Sequence, residues 1–267
     1  ERVTVFQNIL TEVKNDPTSF VSPALATNAF NRLLSRDEVY FGLFTPNLAK
    51  AWEGNVKKYE ICVASGSCSL GSILDAFKVE AIDPANDKFK DTAQSIWSGA
   101  PDGKATTQGG AGHEITDFNT QVLYTDQNNA GFQGNGQLLS EPGFELRVGN
   151  WNDPDLSTMR SAVCPTPDIA PGSDCEARML FLLGKKSTTN PDTDINTTQR
   201  WSVHDVLHSS PVVVTYSGRD TNNDGNVDLF FDRLLYGTND GTLHLVDGET
   251  GVEEWRYMPS DFWGQQQ

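Results

Sequence analysis

Basic residues are scarce in this 267-residue chain: 20 Lys plus Arg stand against 36 Asp plus Glu, a formal net charge of −16. A nucleic-acid backbone would be repelled by such a surface, and an acidic partner is equally disfavoured. Long apolar runs are missing as well. No stretch approaches the ~20 residues that a membrane-spanning helix requires, so no membrane span is expected. The opening ERVTVFQNIL has neither the basic start nor the apolar run of a secretion signal, and we expect the chain to be a piece of a longer protein.

Histidine is limited to positions 113, 204, 208 and 244. His204 and His208 are four apart, but WSVHDVLHSSPVVV runs into a β-branched strand and places no Glu between them in the metalloprotease position, so core or hydrogen-bonding roles are expected. A nucleophile elbow and a phosphate-binding P-loop are both missing, and no cysteine sits in a nucleophile setting. Carboxylates are too abundant for any pair to stand out as general acid and base. The expectation is a protein that is not an enzyme.

The four cysteines fall into two local pairs, Cys62 with Cys68 and Cys164 with Cys175, without the two-residue spacing of a zinc knuckle. Disulfides closing short loops would contribute roughly 2 to 3 kcal/mol each on a chain-entropy model and imply an oxidising compartment. With 37% hydrophobic residues the chain can bury a substantial core.

Helical periodicity is confined to the start, where Val5, Ile9, Leu10 and Val13 precede Asp16 and Pro17. Beyond it the chain reads as strands over Phe20–Phe30, Glu38–Phe44, Lys57–Val63, Gln121–Thr125, Phe144–Trp151 and Met179–Leu183. The predicted class is all-β, β-rich with a short N-terminal helix. Gly99–Gly112 and Lys185–Gln199 look least ordered, and the second divides an expected β-rich region, 1–199, from a segment 200–267.

That segment is the most regular of the sequence. HSSPVVVTY is followed by LLYGTNDGTLHLVDGETGVEEWRY, in which the turns Asn239-Asp240-Gly241 and Asp247-Gly248-Glu249-Thr250-Gly251 carry residues that tolerate positive φ. Three antiparallel strands result, the outline of one propeller blade. Propellers contain ~4 to 8 such sheets, and no second copy of the pattern occurs here, so a partial propeller is expected.

Between the first two strands of this segment lies Asp220-Thr221-Asn222-Asn223-Asp224-Gly225-Asn226-Val227-Asp228. Side-chain oxygens at loop positions 1, 3, 5 and 9, Gly at 6 and a carbonyl at 7 match the opening of a Ca²⁺ loop. The candidate ligands are Asp220, Asn222, Asp224, Asn226 and Asp228. Position 12 is Phe231 rather than a bidentate Glu and both flanks read as strand, which makes this a hairpin loop with an expected affinity in the class of ~10⁻⁴ to 10⁻³ M. Asp232 is a candidate further ligand. Asp192-Thr193-Asp194-Ile195-Asn196 is a weaker echo without the glycine and reads as plain loop.

Several stretches carry a family likeness: VYFGLFTPNLAKAWEGNVKKYEI, AQSIWSGAPDG with GGAGHEI, RWSVHDVLHSSPVVVTY, and YGTNDGTLHLVDGETGVEEWRYMP. Together they resemble the C-terminal region of the PilC and PilY family of type IV pilus tip-associated adhesins and biogenesis factors. The resemblance implies a quinoprotein-like β-propeller at a pilus tip, exported through the periplasm, that caps minor pilins, supports extension over retraction and attaches to host or abiotic surfaces. It also implies a calcium site, carried onto residues 220, 222, 224, 226 and 228. The same blade resembles quinoprotein dehydrogenases, which makes a propeller oxidoreductase the alternative; a structural scaffold with an incidental cation is a third.

Overall fold

The computed structural model describes residues 20–27, 35–46, 52–127 apart from 65 and 67, 143–186, 199–219 and 229–266. The chain is strand-rich with few helices. The expected N-terminal helix lies outside the described residues.

The first sheet runs β1 (Phe20–Thr27), β2 (Ser35–Thr45), β3 (Glu53–Ile61) and β4 (Ile73–Leu74), each antiparallel to its neighbour. The apolar run Val39–Phe44 is explained by burial on both of its faces. Val39, Phe41 and Leu43 pack with Tyr59, Ala81, Phe89 and Ala93 on one side. Tyr40, with Val56 of β3, packs on the other against Val203, Val213, Leu234 and Val246. A small hairpin of β5 (Ile82–Asp83) and β6 (Lys88–Phe89) covers the first of these faces.

The second sheet has the order β8-β7-β12-β11-β10-β9. Its elements are β7 (Leu123–Tyr124), β8 (Glu145–Leu146), β9 (Val212–Arg219), β10 (Leu229–Gly237), β11 (Leu243–Asp247) and β12 (Glu253–Tyr257). The strands β9 to β12 form the expected antiparallel meander. Its turns obey the chemistry read from the sequence: Asp247 Oδ1 accepts from the Glu249 and Thr250 amides, and Gly241 and Gly251 have φ of 86° and 77°. The meander does not stand alone. β7, from before residue 199, pairs in parallel with β12, and β8 extends the sheet further.

Among the described residues there are, besides four 3-10 turns, three short α-helices: α1 (Gly110–Glu114), α2 (Ser157–Val163) and α3 (Asp174–Leu182). The last corrects the strand expected over Met179–Leu183. Ser173 caps α3 by accepting from the Glu176 amide at 3.1 Å, and Cys175, Met179 and Leu182 share its buried face at helical spacing. Ser173 three residues before Glu176 is a helix-start signature that the apolar run of MLFLL outweighed. The Phe144–Trp151 strand is likewise reduced to β8, followed by a 3-10 turn over Val148–Asn150. A third core gathers Leu123, Leu146, Trp151, Met159, Met179 and Trp263 between these helices and β7–β8.

Both expected disulfides are formed, Cys62–Cys68 and Cys164–Cys175. The second ties the end of α2 to the start of α3. Two such bridges fit an extracellular or periplasmic chain. Among the described residues no helix is long and apolar enough to cross a membrane.

Gly99–Gly112, expected to be poorly ordered, is packed and cross-linked. Asn55 of β3 donates through Nδ2 to the carbonyls of Thr106 and Gly109, both at 2.8 Å, while its Oδ1 accepts from the Gly112 amide at 2.9 Å. The buried Lys57 ammonium donates to the carbonyls of Asp102 and Gly103 and pairs with the Asp102 carboxylate at 3.0 Å. That carboxylate also accepts from the Ser95 amide and from the hydroxyls of Ser95 and Ser98. The glycines serve close approach: a Cβ at Gly112 would lie 2.2 Å from Trp201 Cζ2, and one at Gly110 2.6 Å from the Val56 carbonyl oxygen.

Candidate functional site

The candidate calcium ligands Asp220, Asn222, Asp224, Asn226 and Asp228 lie outside the described residues. The frame that carries them is described. β9 ends at Arg219 and β10 begins at Leu229, and these two residues face each other in the antiparallel register. The nonapeptide therefore joins two adjacent strand ends, as a hairpin connection must. After three pairs the register shifts between Phe231 and Asp232, where β9 accommodates one extra residue. Such a bulge increases local twist and turns the hairpin end relative to the rest of the sheet.

Asp232, the candidate further ligand, is buried in the strand. Its Oδ1 accepts from Thr215 Oγ1 at 2.6 Å, and its carbonyl accepts from the Gly248 amide at 2.9 Å. The first contact ties β9 to β10, and the second fastens that hairpin to the β11–β12 turn. A second fastening comes from Arg233, which pairs with Asp247 at 2.8 Å and with Glu254 at 2.7 Å.

Behind this frame runs a buried polar network that sequence spacing did not indicate. His244 on β11 pairs through Nδ1 with Glu253 Oε2 of β12 at 2.6 Å, and its Nε2 lies 3.3 Å from Thr238 Oγ1. Thr238 in turn donates to Asp240 Oδ1 at 2.5 Å, and Asp240 Oδ2 is 3.7 Å from His204 Nε2. At the other end Arg256 holds Glu253 Oε1 through Nε at 2.7 Å, and donates to the Leu182 carbonyl and Gln121 Oε1. Tyr236 stacks on His244 at 5.0 Å, and the Arg200 guanidinium lies 3.9 Å over the Phe181 ring. The network thus connects β10, β11 and β12 with the 199–204 segment, α3 and residue 121.

Its charges are set by burial and by one another. Burial alone would raise the Glu253 carboxyl, but Arg256 and His244 hold it down to about 2. Burial pushes the His204 imidazole down to about 4, with Asp240 opposing. Burial lowers Arg200 to about 9, reinforced by Arg256. His204 and His208 do not form a metal pair: His204 bridges to Glu53 of β3 through its backbone, and His208 is exposed in a turn. Among the described residues no group of three or more His, Cys, Asp or Glu is arranged to hold a metal.

The segment of residues 187–198, with the weaker acidic echo, also lies outside the described residues. Its ends are held together, since Lys185 and Gln199 form a β-bridge and the Arg200 amide donates to the Gly184 carbonyl at 2.9 Å. No protein-family model, curated protein or solved structure matches the chain.

Proposed function

We propose that this chain is a calcium-stabilised, disulfide-stapled binding module of a type IV pilus tip-associated adhesin and biogenesis factor of the PilC and PilY kind. It acts by binding, without catalysis, to minor pilins and to surfaces, and favours pilus extension over retraction from the outside of the cell. β9–β12 is then one blade of a quinoprotein-like propeller that other parts of the protein complete. The observation that carries the calcium reading is the position of the acidic nonapeptide: its donor spacing suits a hard cation, and it spans the open end of a paired two-strand hairpin.

Mechanistically, the loop carries Asp220, Asp224 and Asp228 within nine residues, and these carboxylates repel one another without a counter-charge. A bound Ca²⁺ neutralises them and stiffens the connection. Since Asp232 and Arg233 fasten the hairpin to the neighbouring turn, ordering of the loop is transmitted to one face of the sheet. A partner then meets a preformed surface with calcium and a looser one without it.

The test is a thermal melt in 2 mM Ca²⁺ against one in chelator, with calorimetric titration alongside. A site of Kd about 10⁻⁴ M gives roughly 1.8 kcal/mol of stabilisation at that concentration, which for a chain of this size raises Tm by about 4 to 7 °C. Asp224→Ala abolishes both the heat and the shift. Identical melts with and without chelator would remove calcium from the mechanism.

A further inference from the structure

A cleft of about 460 Å³ lies between the β2–β3 end of the first sheet and the segment 101–108. Its size is that of a small-ligand site, which typically measures roughly 300 to 1,000 Å³. The charged groups on its walls sort themselves. Asp102 is matched by the Lys57 ammonium at 3.0 Å and by the Ser95 and Ser98 hydroxyls. Asp91 faces Lys104 at 3.9 Å near the rim. Glu53 is left: among the described residues its half-buried carboxylate has neither an ion-pair partner nor a hydrogen-bond donor.

Glu53 is also firmly mounted. It lies opposite Thr45 in the β2–β3 ladder and forms a β-bridge to His204 on its other side. The next residue cannot move away, because the Gly54 amide donates to the Val203 carbonyl at 3.0 Å and a Cβ at Gly54 would lie 2.0 Å from the His204 carbonyl oxygen. Beside it, the Thr45 and Thr106 hydroxyls meet at 2.7 Å and fix one wall. Burial pushes the Glu53 carboxyl up from its ordinary value, so the anion is under-solvated where it stands.

We propose that this cleft takes the guanidinium of an arginine side chain presented by a partner polypeptide, with Glu53 as its carboxylate anchor. A guanidinium is planar and weakly hydrated, and it can place two parallel N–H donors on one carboxylate, whereas an ammonium is a compact, strongly hydrated charge. One uncompensated carboxylate suits a single monovalent cation. The −16 net charge of the chain draws basic partners toward it and repels acidic ones. The site uses none of residues 220–228 and stands independently of the calcium reading.

The experiment is an amide-resolved NMR titration of the full chain with N-acetyl-arginine N-methylamide, its citrulline counterpart, agmatine and methyl glucoside. Citrulline keeps the shape of arginine and loses the charge. The expected result is saturable shifts at Thr45, Glu53 and Thr106 with a Kd on the order of 1 mM, and affinity weaker by about tenfold for the citrulline compound. Glu53→Gln, with its spectrum otherwise unchanged, should remove the arginine preference. Equal affinity for arginine and citrulline, saturation of the same resonances by methyl glucoside, or no saturable shift would overturn the assignment. Agmatine binding about tenfold more tightly than the blocked arginine would overturn its polypeptide part. The comparison of arginine with citrulline is made on the unmutated chain and does not depend on the folding of the variant.

Discussion

At the scale of single residues, the buried network around His244 and Glu253 determines how the protein responds to acid. His204 is held neutral in the folded state, its pKa lowered to about 4 by burial, against roughly 6.5 in an unfolded chain. As pH falls below 6.5 the unfolded state takes up a proton that the folded state refuses, so stability declines between pH 6.5 and 4. Glu253 adds a second loss, because its folded pKa of about 2 lies below the ordinary 4.5 and its contribution fades as pH falls through that window. Urea midpoints measured from pH 7.5 to 3 should therefore fall steadily, and His204→Asn should flatten the part between 6.5 and 4. A midpoint independent of pH across that range would contradict the assignment. The two histidine roles differ in their visibility: four histidines in the chain pointed away from catalysis, yet nothing in their spacing identified Glu253 and Arg256 as partners.

At the scale of elements, the glycine-rich segment 99–112 behaves as a fitted piece of the core. Gly112 is buried against Trp201, whose indole donates to the Gly54 carbonyl at 2.8 Å, and Trp97 donates to the Glu249 carbonyl at 3.1 Å. The segment thereby packs onto the first sheet and the 199–204 stretch, while Trp97, just before it, reaches the β11–β12 turn. Gly112→Ala should cost about 1 to 3 kcal/mol by overpacking, read as a lowered urea midpoint with unchanged slope. Gly99→Ala, which meets nothing within 4 Å, should be close to neutral. If both variants unfold alike, close approach is not the reason for the glycines. Composition suggests disorder here because glycine-rich loops and glycine-rich packing surfaces read the same until the opposing atoms are known.

At the scale of the molecule, the two sheets share one core. Tyr40 and Val56 of the first sheet meet Val213, Leu234 and Val246 of the second, and β7 and β8 extend the meander that begins at β9. Lys58 of β3 donates to the Gly248 carbonyl at 2.8 Å, across the same boundary. A fragment limited to residues 200–267 would expose these apolar faces and strip Arg256 of its Gln121 and Leu182 contacts. Such a fragment should show poor amide dispersion and no cooperative melt, whereas the full chain should melt cooperatively. A well-dispersed, cooperatively folding fragment would mean that the meander carries its own core.

Local chemistry alone determined the turns at Asn239–Gly241 and Asp247–Gly251, the strands that they join, and the two short-range disulfides, whose cysteines are 6 and 11 positions apart. Tertiary structure decided the helix at Asp174–Leu182, whose apolar run suits strand and helix alike until Cys175, Met179 and Leu182 are buried together in the third core, although the Ser173–Glu176 cap that starts it is local. It also decided the order of 99–112, the His244–Glu253–Arg256 network and the stranded carboxylate of Glu53. The contacts that hold 99–112 to Asn55, Arg256 to Gln121 and Leu182, and Glu53 to His204 join residues far apart in the chain, and the energetics of a buried polar group or a glycine follow from what lies against it in space, which periodicity and spacing do not encode.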